Sequence, residues 1–138
     1  MRANHKAARC VAWAFGAALA APFALAPAAA QSMSPMLGEV RSLTDHFLVR
    51  VRAQNPYRHR IRVHVRVYDA RFRPVRAQVR PASFLLGGGA QRPVQVRVPF
   101  DGAGRRRVRV CTESIPFPNR QIAMRSQICG RFLATRVR

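Results

Sequence analysis

Hydrophobic and polar residues alternate along most of the chain after residue 46. In the first such run, Phe47, Val49 and Val51 share one side and arginines occupy the other. Alternation with a period of two is typical of a β-strand that buries one face and exposes the other. The pattern recurs at 60–69 and 91–99, and no segment after residue 30 shows the apolar spacing of an amphipathic helix. The sequence therefore predicts an all-β chain.

Clusters of Pro, Gly, Asn and Asp separate the alternating runs and act as turn signals. They delimit seven predicted strands, at 38–43, 46–54, 60–69, 76–85, 91–99, 105–113 and 121–136. Short strands at such regular spacing are typical of two packed antiparallel sheets. We predict an immunoglobulin-like antiparallel β-sandwich of about seven strands. A small barrel is the alternative that the pattern leaves open.

The last two predicted strands carry one cysteine each, on either side of a proline-rich turn. If these strands pair antiparallel around Arg120, Cys111 lies directly opposite Cys129. Opposed residues in a ladder have Cα atoms about 4.5–5.5 Å apart, within reach of a disulfide. The same register pairs Val108 with Phe132 on one face and Arg109 with Arg131 on the other. We therefore predict a β-hairpin stapled by a disulfide.

The first thirty residues have the pattern of a signal peptide. Basic residues precede an Ala-rich apolar stretch, which ends in Ala28-Ala29-Ala30 before Gln31. An N-terminal membrane anchor is the alternative interpretation. Cleavage would remove Cys10, leaving a domain of residues 31–138 with an even pair of cysteines, as expected of an oxidising compartment. We expect a periplasmic or secreted protein that is not transmembrane after cleavage.

Residues 31–138 contain 22 Arg, no Lys and five acidic residues, which gives a net charge of +17. A surface of this kind attracts polyanions in a salt-dependent manner, and lipopolysaccharide or anionic lipid are candidates. A GC-rich genome that uses Arg as its default exposed residue would produce the same composition. Specific nucleic-acid binding is not expected, because the aromatic residues are dispersed rather than interleaved with the basic ones.

No group of residues forms a recognisable catalytic or metal-binding motif. The acids are scattered singly, the histidines lie among arginines, and the two cysteines are expected to be oxidised. We therefore predict that the protein is not an enzyme and uses neither a metal nor another cofactor.

The order of several segments resembles the N-terminal domain of periplasmic pilus-assembly chaperones. The similar segments are Phe47–Asn55, Arg60–Asp69, Pro81–Leu86, Gly88–Gln91, Val94–Val98, Ser114–Pro116 and Gln121–Met124. The resemblance covers nearly all of residues 31–138 but corresponds to only one of the family's two domains. It implies an immunoglobulin-like domain whose last strand donates alternating apolar side chains to an incomplete protein partner, such as a pilin-like or other envelope subunit.

The resemblance also implies partner-binding residues. Ile122 and Met124 match the donor positions and Ser126 is a weaker one, although the same side chains could instead pack into this domain's own core. The family grips the partner's terminal carboxylate with two basic residues. Arg41 matches the first loosely, and the second falls at Cys129. Arg131 opposite Arg109 is a possible substitute, because directly opposed like charges repel unless an anion bridges them.

Two hypotheses follow from the sequence. The first is a chaperone-like domain that captures a protein partner by strand addition along its C-terminal hairpin. The second is a cationic envelope protein that binds polyanions through its Arg-rich surface. A purely structural role in an envelope assembly cannot be separated from the first hypothesis by sequence.

Overall fold

A computed structural model describes residues 31–138, which form nine β-strands. The predicted signal peptide and Cys10 lie outside the described residues. The strands are β1 (Ser32–Ser34), β2 (Leu37–Ser42), β3 (His46–Gln54), β4 (Ile61–Tyr68), β5 (Gln78–Arg80), β6 (Ser83–Leu86), β7 (Gln91–Pro99), β8 (Arg105–Ser114) and β9 (Ser126–Arg136). The described part of the chain contains no helix that is long and apolar enough to span a membrane.

The strands form two separate sheets that pack face to face. One sheet has the order β1-β3-β7-β5 and the other the order β2-β9-β8-β4-β6. All strand pairs are antiparallel except β2 with β9, which is parallel. The prediction of an all-β, immunoglobulin-like sandwich is confirmed, and the alternative of a closed barrel is not realised.

The core lies between the sheets and consists largely of β-branched residues from the alternating runs. Val63, Val96 and Val110 are completely buried, and Phe47 packs against Phe100 with ring centroids 5.0 Å apart. The arginines between these residues point to solvent from the outer face of each sheet. One face of each strand is therefore apolar and buried while the other is cationic, as the period of two predicts.

Two predicted features of the strands are wrong. The single strand predicted at 76–85 is two short strands, β5 and β6, which belong to different sheets and are separated by Pro81. The last strand was predicted to begin at residue 121 but begins at Ser126. The short strand β1 was not predicted; it pairs with β3, and the chain then crosses to the other sheet, where β2 pairs with β9.

Candidate functional site

The C-terminal hairpin of β8 and β9 has the predicted register. Cys111 lies opposite Cys129 with Cα atoms 4.0 Å apart, and the two form a disulfide. Val108 opposes Phe132 on the buried face. The bridge and the core pair together fix the position of β9 along its neighbour.

Half of β9 has a free edge in the described structure. β8 pairs with β9 along its whole length, but β2 pairs only with residues 131–136 on the other side. The last backbone hydrogen bond on that side runs from the Arg131 amide to the Met36 carbonyl oxygen at 2.7 Å, and the Met33 side chain lies beside the buried Gly130. Residues 126–130 thus have a strand neighbour on one side only, and such an edge can accept another strand.

Two exposed apolar side chains lie just before this edge. Ile122 is 78 % exposed and Met124 is 72 % exposed, in the loop 115–125 that joins β8 to β9. The alternative expectation that these residues pack into the domain's own core is therefore wrong. Ile128, six residues beyond Ile122 and of the same parity, is partly buried against the core. If the segment before β9 became extended, the exposed pair would have the same parity as the inward-facing residues of β9.

An aromatic cluster fixes the beginning of this loop. The Phe117 ring lies 5.1 Å from both the Tyr57 ring and the His59 ring, and His59 Nε2 lies 2.6 Å from the Pro116 carbonyl oxygen. The Arg120 guanidinium lies over the Phe117 ring at 4.8 Å. The cluster joins loops almost sixty residues apart in sequence, and the local pattern gave no signal for it.

The buried side-chain amide of Asn55 holds the loop that carries part of this cluster. Asn55 is completely buried, and its Nδ2 lies within 3.0 Å of the carbonyl oxygens of His59, Leu86 and Gly87. Its Oδ1 accepts a hydrogen bond from the Tyr57 amide at 3.0 Å. Asn55 therefore ties the loop after β3 to the turn after β6, and so holds the aromatic residues in place.

The three arginines predicted to bind the partner do not all lie close together. Arg109 opposes Arg131 on the outer face, as predicted, and the Arg109 guanidinium lies 4.5 Å from the centroid of the Phe72 ring. Arg41 opposes Thr135, four residues further along β2 than the partner of Arg131. At about 3.3 Å per residue this separation is about 13 Å along the strand. Arg41 and the Arg109–Arg131 pair are therefore separate positions.

A polar network beside the disulfide was missed at the sequence level. Glu113 is buried on the outer face and accepts hydrogen bonds from Tyr68 Oη at 2.7 Å and Gln127 Nε2 at 3.0 Å. Arg66 Nε lies 3.6 Å from its other oxygen. The hydrogen bond to Glu113 raises the pKa of Tyr68 above its ordinary value, with burial adding to the effect. The network links β4, β8 and β9 through side chains next to residues 126–130.

Ion pairs involve four of the five acids. The pairs in the described residues are Arg66–Glu113, Arg73–Asp69, Arg106–Asp101 and Arg136–Asp45. Since residues 31–138 contain 22 Arg, most of their guanidinium groups have no carboxylate within ion-pair distance. Among the described residues, no group of three or more His, Cys, Asp or Glu is placed to hold a metal ion.

No protein-family model matches the chain, and no curated protein sequence is significantly similar to it. Solved structures show a clear similarity of fold. A complex of the Salmonella enterica SafA pilin with the SafB chaperone matches at TM-score 0.65 and 17% identity, over 78% of this chain and 54% of that chain. The E. coli chaperone DraB matches at TM-score 0.64 and 13% identity, over 78% and 55% respectively.

A third similar structure is matched over almost its whole length. WR4, an MSP family member of C. elegans, matches at TM-score 0.54 and 9% identity, over 78% of this chain and 97% of that chain. The present chain spans about half the length of the chaperone structures that it matches. The described residues have the immunoglobulin-like fold of the periplasmic pilus chaperones, and the resemblance read from the sequence is confirmed at the level of the fold.

Proposed function

We propose that this chain is a chaperone-like binding domain that captures a protein partner by strand addition beside β9. The observation that supports the proposal is the free edge at 126–130 together with the exposed apolar pair before it, Ile122 and Met124. An incoming strand would pair with the free edge through main-chain hydrogen bonds, which give affinity. The alternating side chains would enter gaps in the partner's core, which gives specificity.

Capture would require the segment before β9 to become extended. Residues 121–125 have no strand partner in the described structure, so a partner strand can supply the hydrogen bonds that β8 does not. Complete burial of a large apolar side chain contributes about 1.5–3 kcal/mol. Ile122 and Met124 together would thus contribute roughly 3–6 kcal/mol, with the smaller Ser126 adding little.

The class of partner that we propose is an envelope subunit with an incomplete sheet, such as a pilin-like protein. Similar structures include a chaperone with a pilin and a chaperone with a tip adhesion subunit. The disulfide and the similarity to the periplasmic chaperone SfaE support a periplasmic or secreted location for this chain. Arg41, Arg109 and Arg131 remain proposed partner contacts, but their separation means that they do not all grip one carboxylate.

The experiment compares capture of a protein by three single variants. Ile122→Asp and Met124→Asp place a charge where the partner's core would be, and Leu43→Asp is the matched control. Leu43 is also 78 % exposed but lies in the turn between β2 and β3, at the opposite end of β9 from the free edge. The immobilised domain is exposed to periplasmic extract and washed at low salt and then at ~0.5 M salt, where the Debye length is only several Å.

We expect a defined protein to survive the high-salt wash on the wild type and on Leu43→Asp, but not on Ile122→Asp or Met124→Asp. Hydrogen exchange of the captured complex should slow at the amides of 127 and 129, which point away from β8 on the same side as the Arg131 amide. Equal capture by all three variants, or a retained protein that leaves those amides unprotected, would refute strand addition.

The second candidate function is polyanion binding, and one observation favours it. Both outer faces of the sandwich carry arginines, and only four of the 22 make ion pairs in the described structure. Under this hypothesis the affinity for lipopolysaccharide or for anionic vesicles falls linearly with salt on logarithmic axes. The apolar changes at Ile122 and Met124 would then leave binding unaltered.

A further inference from the structure

The outer face of the five-stranded sheet contains an open groove of about 560 Å³. Its floor is formed by β8 and β9, and its sides by β2 and the loop that follows β4. The lining includes Leu37, Glu39, Ala70, Arg107, Arg131 and Leu133. This volume lies within the range of about 300–1,000 Å³ that is usual for small-molecule sites.

Three arginines face the groove without a carboxylate partner. Arg109 and Arg131 oppose each other. Arg107 precedes Arg109 by two residues on β8 and lies on the same face of the sheet. None of the three lies within ion-pair distance of an acid among residues 31–138. Arg109 Nε is buried without a hydrogen-bond partner, while its guanidinium is held against Phe72. Guanidinium groups at directly opposed positions of neighbouring strands can donate to the oxygens of one carboxylate or phosphate.

Apolar side chains lie next to these cations. Leu37 is 64 % exposed and is the register partner of Arg131, and Leu133 is the next outward residue on β9. Glu39, which opposes Leu133, makes that end of the groove unfavourable for an anion. The negative part of a ligand would therefore lie at Arg109 and Arg131, with its apolar part along the two leucines.

We propose that this groove binds a single-chain amphipathic anion, one alkyl chain that ends in a carboxylate or a phosphate. The groove favours this ligand over the end of a polypeptide. At the centre of the groove β9 is paired on both sides, and β8 is paired with β4 from Arg109 onward. Free backbone partners for a peptide therefore lie only at the rim, on the outer edge of β2 and on residues 105–108 of β8. An alkyl chain needs none. The groove lies on the outer face of the sheet rather than at the free edge of β9. It shares Arg109 and Arg131 with the proposed partner contacts, but its ligand does not depend on strand capture.

Calorimetric titration of residues 31–138 tests the proposal, with dodecanoate and dodecyl phosphate as probes below their micelle concentrations. Inorganic phosphate, dodecyl maltoside and a short peptide with a free carboxylate are the comparison ligands. We expect both dodecyl anions to bind, and a methylene deleted from the buried chain to weaken binding by about three- to fourfold. Amide resonances at 37–39, 107–109 and 131–133 should shift on binding.

Two double variants of equal charge locate the site. Arg109→Gln with Arg131→Gln should weaken dodecyl phosphate binding by at least about tenfold. Arg50→Gln with Arg52→Gln, on the outer face of the opposite sheet, should change it less than about twofold. If the first double variant does not fold, the single variant Arg131→Gln, at an exposed position, replaces it in the same titration.

Several outcomes would overturn the proposal. Equal losses in the two double variants would show that only net charge matters. If inorganic phosphate bound as tightly as dodecyl phosphate, the two leucines would contribute nothing to the affinity. Tighter binding of the peptide, binding of dodecyl maltoside, or binding only to anionic vesicles would each assign the groove to another ligand. Failure of any of these tests leaves capture at β9 unaffected, since the Ile122 and Met124 variants probe that separately.

Discussion

Replacement of Asn55 should destabilise the domain more than its position in a loop suggests. The side chain is completely buried and lies within hydrogen-bond distance of three carbonyl oxygens and one amide. Its amide group has two protons, so at most two of the carbonyls receive a linear bond, and the Tyr57 amide supplies a third bond. A buried group left without its partner costs about 1–3 kcal/mol.

We expect Asn55→Ala to lower the free energy of unfolding by about 3–5 kcal/mol, since water entering the site recovers part of the loss. A domain of this size has a total of about 5–15 kcal/mol. With an m-value of roughly 1.5 kcal/mol/M in urea, the unfolding midpoint should fall by about 2–3 M.

Asn55→Asp separates hydrogen bonding from packing. Aspartate keeps the volume and can still accept the Tyr57 amide, but it directs a second oxygen at the three carbonyls and buries a charge. We therefore expect the Asp variant to be less stable than the Ala variant in urea unfolding at neutral pH. If Asp is the more stable of the two, or if Ala costs less than about 1 kcal/mol, the polar account of this site is wrong.

Three further predictions concern stability and ionisation. Replacing Cys111 and Cys129 together by Ala should cost about 3 kcal/mol in denaturant unfolding, because the bridge closes a loop with a sequence separation of 18; an unchanged midpoint would contradict this. Tyr68 should ionise above 10.0 in ultraviolet titration, and Glu113→Gln should lower its pKa. Because the folded-state pKa is the higher one, this contribution to stability is complete below pH 10.0 and is lost as pH rises through the folded-state value. Gly88→Ala should destabilise by about 1–3 kcal/mol in thermal unfolding, because a Cβ there would lie 2.2 Å from a backbone oxygen; wild-type stability would show that the loop yields.

The alternation of residues was sufficient to predict the long strands, because burial of one face is a local property of the sequence. It was not sufficient at 76–85. In this segment the inward-facing residues are odd-numbered as far as Val79, but Phe84 and Leu86, which also face inward, are even-numbered. This change of parity across Pro81 was a visible signal of two strands. Which sheet each one joins depends on distant partners and could not be read locally.

The beginning of β9 was mispredicted for a related reason. The alternation continues from Phe132 back to Ile122, so the hydrophobic pattern alone does not show where β9 begins. In the observed register, however, Met124 and Ile122 would face Pro116 and Pro118, respectively. Proline has no amide hydrogen to donate to a ladder, and the hairpin therefore stops at Ser114 and Ser126. The exposure of the two apolar residues follows from prolines on the facing segment.

The unpaired half of β9 has a further consequence for the behaviour of the isolated protein. An open edge next to exposed Ile and Met side chains is a template on which identical molecules can stack. The +17 charge of residues 31–138 keeps the molecules apart at low ionic strength, so solubility depends on long-range repulsion rather than on a protected edge. Salt shortens the range of that repulsion and leaves the apolar contacts intact. The same conditions that detach polyanions from the arginines therefore bring the edges of two copies within reach of each other.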